Sequence, residues 1–344
     1  VKIKAALGSL ITTILAVALG LAIGLAIAAI GGDSPWVILQ ALVRSAFGSR
    51  YDFEMTLFYS LPLALTGLSV AMGLRAGLFN IGGEGQMTLG ALAAAVVGVS
   101  FPGVAWPWAP ALAMMSAFAA GAIWGAIPGW LRAARGSHEV INTIMLNFIA
   151  AGLVSYLTLY VFKAPLAQSP ETAVIAPGYV ISRYLALALP IGAAVVVAFI
   201  FRRTVLGFEM QAVGSSESAA RNAGIRIERA QVLSLALAGG IAGLAGIPEV
   251  LSHAMRFRVG FSPGYGFIGI AVALVGRGKP WGVLAAAFLF GVLHKGTEYL
   301  ELDTEHVTRD LSQILQALVI LAVSAEGLWF FMKRQRKVIR KVIQ

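Results

Sequence analysis

An all-α membrane protein, a polytopic helix bundle of about ten transmembrane spans with several broken or short helices, is the fold that the sequence predicts. Three observations carry it. Hydrophobic residues make up 58% of the 344 residues and charged ones only 12%, against about 45–50% and 25% in ordinary soluble domains. The mean hydropathy is correspondingly high, at +0.83. Apolar runs of spanning length recur along the whole chain, and a helix of about 20 residues crosses a hydrocarbon core about 30 Å thick with every backbone group paired. The basic residues gather at the ends of those runs, where membrane topology asks for them. The formal charge of +10 is therefore read as orientation and not as a nucleic-acid surface. Cysteine is absent and the 4 histidines are scattered, so disulfides, thiolate metal sites and a histidine metal cluster are excluded. No stretch is polar and long enough for a separate soluble domain, so residues 1–344 are taken as one transmembrane domain.

The first apolar run, 5–30, follows Lys2 and Lys4 and contains the signal-peptidase-like triplet Ala26, Ile27, Ala28. It far exceeds the roughly 7–15 residues of a signal-peptide core, so a retained first span is expected. Further spans are expected at 57–74, 86–101, 108–131, 140–162, 185–201, 230–250, 262–276, 281–295 and 311–332. With the N-terminus inside, this alternation puts Arg75, Arg132, Arg135, Arg202, Arg203, Arg226, Arg229, Arg277, Lys279 and the basic tail 333–344 on the cytoplasmic side. The acidic cluster Glu298, Glu301, Asp303, Glu305 and Asp310 falls outside. Both termini are expected to be cytoplasmic. Spans 86–101 and 262–276 are short for a membrane. Broken helices are tolerated there only where protein or a water-filled path covers the freed backbone, so the bundle is expected to line a pathway. Small residues crowd "GLAIG" (20–24) and "AGGIAGLAGIPE" (238–249), the pattern that lets helices pack backbone to backbone.

Motifs for chemistry are mostly absent. There is no GxxxxGK[ST] phosphate loop, the nearest stretch being "GRGKP" at 276–280, so the chain is not expected to hydrolyse ATP. No acid, base and nucleophile set converges, and neither catalytic residues nor a metal are expected. Glu84, Glu249 and Glu326 are the carboxylates nearest the membrane, which leaves an ion-coupled secondary transporter as an alternative.

Two polar segments stand out. "GLFNIGGEGQM" (77–87) interrupts apolar sequence. Gly82, Gly83 and Gly85 permit close approach and non-helical angles, while Asn80, Glu84 and Gln86 either satisfy freed amides, brace the next helix N-terminus or face the pathway. Glu84 suits a helix N-terminus, which favours a structural carboxylate. On the fifth span Glu139, Asn142 and Thr143 share a helical face, and Asn142 and Asn147 are read either as interhelical hydrogen-bonding residues or as pathway groups. The second segment is the loop 202–229. Ser215 or Ser216 caps a short helix with Glu217 in its first turn, and Gly224 ends it. It is either a basic cytoplasmic loop that happens to be helical or a docking knob for a cytoplasmic partner.

"GLFNIGGEGQMTLGA" (77–91) and "LGFEMQAVGSSESAARNAGI" (206–225) together resemble the permease subunits of ABC importers in the branched-chain amino acid, ribose and nucleoside superfamily. The wording of the first motif is most similar to the nucleoside branch, whose binding proteins are basic membrane lipoproteins. The resemblance runs over roughly 57–330. It implies a pathway-forming subunit in the cell (inner) membrane, in contact with lipid and not with nucleic acid. Its implied partners are a second permease, cytoplasmic ATP-binding proteins that hold ATP and Mg, and an external substrate-binding lipoprotein. This chain itself then binds no cofactor. The resemblance also implies a coupling helix at Ser216, Glu217, Ala219, Ala220, Arg221 and Gly224, while the polarity and glycine content of the two membrane segments themselves make Asn80, Gly82, Gly83, Glu84, Gly85, Gln86, Asn142 and Asn147 the pathway or hinge candidates. A purine nucleoside is the expected substrate, with a simple sugar or a branched-chain amino acid as alternatives.

Overall fold

The computed structural model describes residues 2–30 and 32–300, together with residues 314, 315, 317, 318 and 321. The elements described up to residue 300 include, in chain order, α1 (Lys2–Ile30), α2 (Pro35–Phe47), α3 (Arg50–Arg75), α4 (Gly83–Ser100), α5 (Trp108–Arg135), α6 (Glu139–Tyr156), α7 (Arg183–Arg203), α8 (Val205–Ser215), α9 (Glu217–Asn222), α10 (Ile227–Gly243), α11 (Tyr265–Val275) and α12 (Pro280–Gly296). A π-helical turn, Leu157–Val161, prolongs α6, and the turns Leu244–Gly246 and Pro248–His253 prolong α10. Among the described residues the only β pairing is two isolated bridges, Lys163 with Thr172 and Glu171 with Arg258. The chain is an all-α membrane protein. Among the described residues five stretches of helix are long and apolar enough to cross a bilayer: Arg50–Arg75, Trp108–Arg135, Glu139–Val161, Arg183–Arg203 and Ile227–His253.

Most expected runs reappear as helices within a few residues, with two differences. The segment 31–56, read from sequence as a loop, forms α2 and about the first two turns of α3. Gln40 and Arg44 dilute the hydropathy of α2, and its 13 residues make a helix only about 20 Å long, too short to read as a span. The early start of α3 is fixed by Ser49, whose hydroxyl oxygen accepts from Asp52 N at 3.1 Å, a cap that satisfies a first-turn donor. The expected tenth span, 311–332, and the basic tail 333–344 lie almost entirely outside the described residues.

The chain divides into two compact units, residues 60–288 and residues 1–59 with 289–344. In the larger unit α4, α5 and α10 meet backbone to backbone. A Cβ on Gly239 would collide with Gly121 O and stand 2.9 Å from Gly125 Cα, and one on Gly90 would stand 2.6 Å from Gly243 Cα. The small residues of 238–249 therefore serve packing. Connecting segments of this unit collect into two sets. Arg75 reaches Gln211 at 3.3 Å and Gly278 O at 3.5 Å, and Arg132 reaches Glu139 at 3.1 Å. In the other set Glu171 pairs with Arg256 at 2.7 Å and Arg258 at 3.1 Å, and Tyr179 Oη donates to Phe101 O at 3.1 Å. Segments that charge alternation assigns to one side thus touch one another.

In the smaller unit Ile38, Ala41 and Leu42 of α2 pack with Ala28, Leu300 and Leu315. Lys295, only 1% exposed, places its ammonium 3.0 Å from Asp52 and 2.6 Å from Glu298. A buried cation of this kind is tolerated because two carboxylates compensate it.

Candidate functional site

The polar stretch after α3 does not stay at the helix end. Gly77 takes a left-handed φ of +72°, and a Cβ there would also lie 3.1 Å from Gly214 Cα, so this turn requires glycine. The chain then climbs back along α3. Leu78 N donates to Gly73 O at 3.0 Å and Asn80 Nδ2 to Ser69 Oγ at 3.1 Å. Ser69 lies six residues before the end of α3, which places Asn80 about 9 Å inside the bundle. The 77–87 segment is therefore re-entrant.

Within the turn two buried amides bond reciprocally. Asn80 Nδ2 donates to Gln86 Oε1 at 2.8 Å, and Asn80 Oδ1 accepts from Gln86 Nε2 at 3.2 Å and from Gly82 N at 3.0 Å. Both side chains are buried, so the pairing supplies partners that water cannot. Gly82, with φ −73° and ψ 3°, and Gly83 and Gly85, already helical, need no unusual backbone angle. That correction moves the conformational demand to Gly77. What Gly85 provides is room: a Cβ there would lie 2.8 Å from Ala150 Cβ and 3.1 Å from Asn147 Cα, whereas one on Gly83 would make ordinary contact with Gly266 O at 3.5 Å.

Two helices begin here, and both are capped from elsewhere in the chain. The N-cap of α4 is Gly82 and that of α11 is Gly264, neither with a side chain to offer, while each first turn holds backbone N–H groups that need acceptors. For α4, Asn147 Oδ1 accepts from Gly85 N at 2.9 Å and Asn147 Nδ2 donates to Ile81 O at 2.9 Å. For α11, Ser262 Oγ accepts from Tyr265 N at 3.0 Å and the Glu84 carboxylate accepts from Gly266 N at 2.7 Å. Thr66 Oγ1 donates to Tyr265 O at 3.1 Å. Glu84 thus sits in the first turn of α4 and holds the first turn of α11.

The fifth-span residues separate. Glu139, Thr143 and Asn147 form a buried line on α6, four residues apart, as helical geometry requires. Asn142 lies off that line and exchanges hydrogen bonds with Ser137 at 2.6 and 2.9 Å. The i, i+3 spacing grouped Asn142 with Glu139 on one helical face, yet the one position between Asn142 and Thr143 turns a side chain by about 100°.

In the loop 202–229, α8 precedes the short helix. Thr204 caps α8 by accepting from Gly207 N at 3.1 Å, a start that the sequence reading missed although Thr before a helical run was visible. Ser216 caps α9, its Oγ accepting from Ala219 N at 3.3 Å, and Gly224 closes it with φ +80°. Ala220 is the inward face, packed with Val213, Ile227 and Ala230, while Glu217, Ser218, Ala219, Arg221 and Asn222 are exposed. Glu217 accepts from Gln231 Nε2 at 3.1 Å and lies 3.8 Å from Arg132. Arg221 lies 3.6 Å from Glu228. The roles of Arg132 and Gln231 had no sequence signal, because they depend on contacts far along the chain. No group of three or more His, Cys, Asp or Glu suited to a metal exists among the described residues.

A family model described as branched-chain amino acid transport system, permease component, matches residues 53–324. The chain belongs to this family of transport permeases. It is 37% identical over 311 residues to the glucose ABC transporter permease protein of Haloferax volcanii, covering 84% of this chain and 79% of that one. It is 35% identical over 341 residues to the guanosine ABC transporter permease protein of Bacillus subtilis, covering 96% and 98%. A nucleoside ABC transporter permease protein of Lactococcus lactis is 32% identical over 325 residues, covering 90% and 89%. Members of this family are integral membrane transport components without an ATPase site of their own.

Proposed function

We propose that this chain is the pathway-forming permease subunit of an ABC importer for a nucleoside, with a purine nucleoside as the favoured cargo. The observation that carries the substrate class is the end-to-end match to the guanosine permease, which covers 96% of this chain and 98% of the relative. The chemistry of the bundle agrees. A nucleoside presents hydroxyls and a flat base, and a path for it calls for amides and hydroxyls among apolar walls, without a charged cage. Asn80, Gln86, Thr143 and Asn147 are such groups. In the described conformation Asn80 and Gln86 bond each other while Thr143 and Asn147 bond backbone groups of the turn and of α6, so 77–87 acts as a polar hinge, and substrate meets it only when the segment moves. The high identity to a glucose permease, 37%, favours a simple sugar as the second reading.

In this reading ten spans place both termini in the cytoplasm, with α9 as the coupling helix on that side. Ala219 and Arg221 face the ATP-binding partner, Ser216 and Gly224 define the ends of the helix, and Ala220 and Glu217 seat it on the bundle. A second, homologous permease completes the pathway, and an external lipoprotein delivers substrate. ATP and Mg belong to the partner ATPase. The trans-capping role of Glu84 counts against ion coupling through that carboxylate. Competition for uptake of labelled guanosine tests the substrate: unlabelled purine nucleosides are expected to compete at far lower concentration than glucose, and the reverse order selects the sugar.

A further inference from the structure

One guanidinium joins the cytoplasmic knob to α6. Arg132 Nη1 lies 3.1 Å from Glu139 Oε2, at the first residue of α6, and Arg132 Nη2 lies 3.8 Å from Glu217 Oε1, at the first residue of α9. Gln231 Nε2 holds the same Glu217 oxygen at 3.1 Å. Eight residues further along the same face of α6, about 12 Å deeper, Asn147 grips the re-entrant turn at two points, Gly85 N and Ile81 O, each at 2.9 Å. Between them the Thr143 hydroxyl donates to Glu139 O at 2.8 Å and accepts from Ile81 N at 3.4 Å. The turn in turn carries Glu84, which holds the first turn of α11. A helix of this length behaves as a rod, because each of its backbone hydrogen bonds fixes the next turn. The rod is thus held at two points, at its start through Arg132 to the exposed knob and at its middle to the polar hinge.

We infer that the first half of α6 transmits displacement of α9 to the re-entrant turn 81–85, with Glu139 at the start of the helix and Asn147 at its middle as the positioning residues; this rests on the coupling role proposed above for α9. These two points are joined by a contiguous chain of hydrogen bonds and ion pairs, which gives the coupling a physical route.

The test uses the complete transporter in proteoliposomes. The chain has no cysteine, so a Thr88→Cys substitution one turn above Gly85 gives a single reporter on this subunit. Its reaction rate with a water-soluble maleimide is compared without nucleotide and with Mg-ATP trapped by vanadate. The expected nucleotide-dependent change is about 5-fold or more, the lower end of ordinary coupling between sites. Glu139→Gln and Asn147→Ala are each expected to abolish that change while the chain still co-purifies with its ATPase. The double variant is expected to lose no more than either single one, the mark of a shared route. A full nucleotide response in both single variants overturns the inference, as does a single-variant loss that doubles in the pair. If Asn147→Ala fails to assemble, Glu139→Gln decides alone. Ala219→Trp on the exposed face of α9 separates the two readings. If it leaves the response intact, the coupling role of α9 is wrong; if it abolishes the response while Glu139→Gln and Asn147→Ala preserve it, the relay through α6 is wrong and the coupling helix stands.

Discussion

Asn147 and Asn142 look alike in sequence, and the structure gives them opposite weights. Replacing Asn147 by Ala removes the acceptor for Gly85 N and the donor for Ile81 O, both at 2.9 Å, in a site where the side chain is 7% exposed. An unsatisfied buried group costs about 1–3 kcal/mol, whereas interhelical side-chain bonds inside membranes average about 0.6 kcal/mol with a maximum near 1.7. Two lost bonds on one re-entrant turn therefore come to about 1–3 kcal/mol in total. The α4 start would feel this directly, since Gly82 offers it no side-chain cap. Asn142→Ala removes only exchanges with the neighbouring Ser137 and is expected to stay within about 0.5 kcal/mol, as surface substitutions usually do. Thermal unfolding of the purified permease, followed by tryptophan fluorescence, reads both variants on one scale. Equal stability of the two, or a larger loss at Asn142, would refute the trans-capping argument.

Gly239→Ala is expected to cost about 1–3 kcal/mol by overpacking, because its Cβ would collide with Gly121 O; Gly192→Ala, with nothing within 4 Å, is expected to be neutral or slightly stabilising in the same unfolding assay. Lys295→Met strips the counter-charge from the Asp52 carboxylate, 6% exposed, and a broken buried pair costs about 3–5 kcal/mol, read as a marked loss of detergent-stable protein. Ser216→Ala removes the α9 cap and is expected to cost about 1 kcal/mol locally, with ATPase-coupled transport reduced and insertion unchanged; full transport would show that α9 needs no fixed N-terminus. Glu84→Gln keeps an acceptor for Gly266 N and is expected to retain more transport than Glu84→Ala, whereas equal loss in both would assign the charge itself a role in the pathway.

Much of this architecture was legible from residue patterns. Hydropathy located most helices, and the Lys and Arg alternation grouped the same loops that meet in the structure, because the membrane imposes both regularities on the chain directly. Ser216 and Gly224 revealed α9 because caps and left-handed glycines are local chemistry. The limits appear where partners lie far apart. Gly266 N is held by Glu84 from 182 residues away, and nothing local at either position announces it. The re-entrant path of 77–87 likewise follows from contacts with Ser69 and Asn147, and α2 was missed because its few polar residues mask a short buried face.

Energised uptake tests the central claim most directly. Vesicles holding this chain with its partner permease, ATPase and binding lipoprotein are loaded with ATP or left without it, and accumulation of labelled guanosine is followed with and without an ionophore that collapses ion gradients. The account predicts accumulation that requires ATP and survives the ionophore. Accumulation that proceeds without the ATPase and stops when the gradients collapse would contradict it.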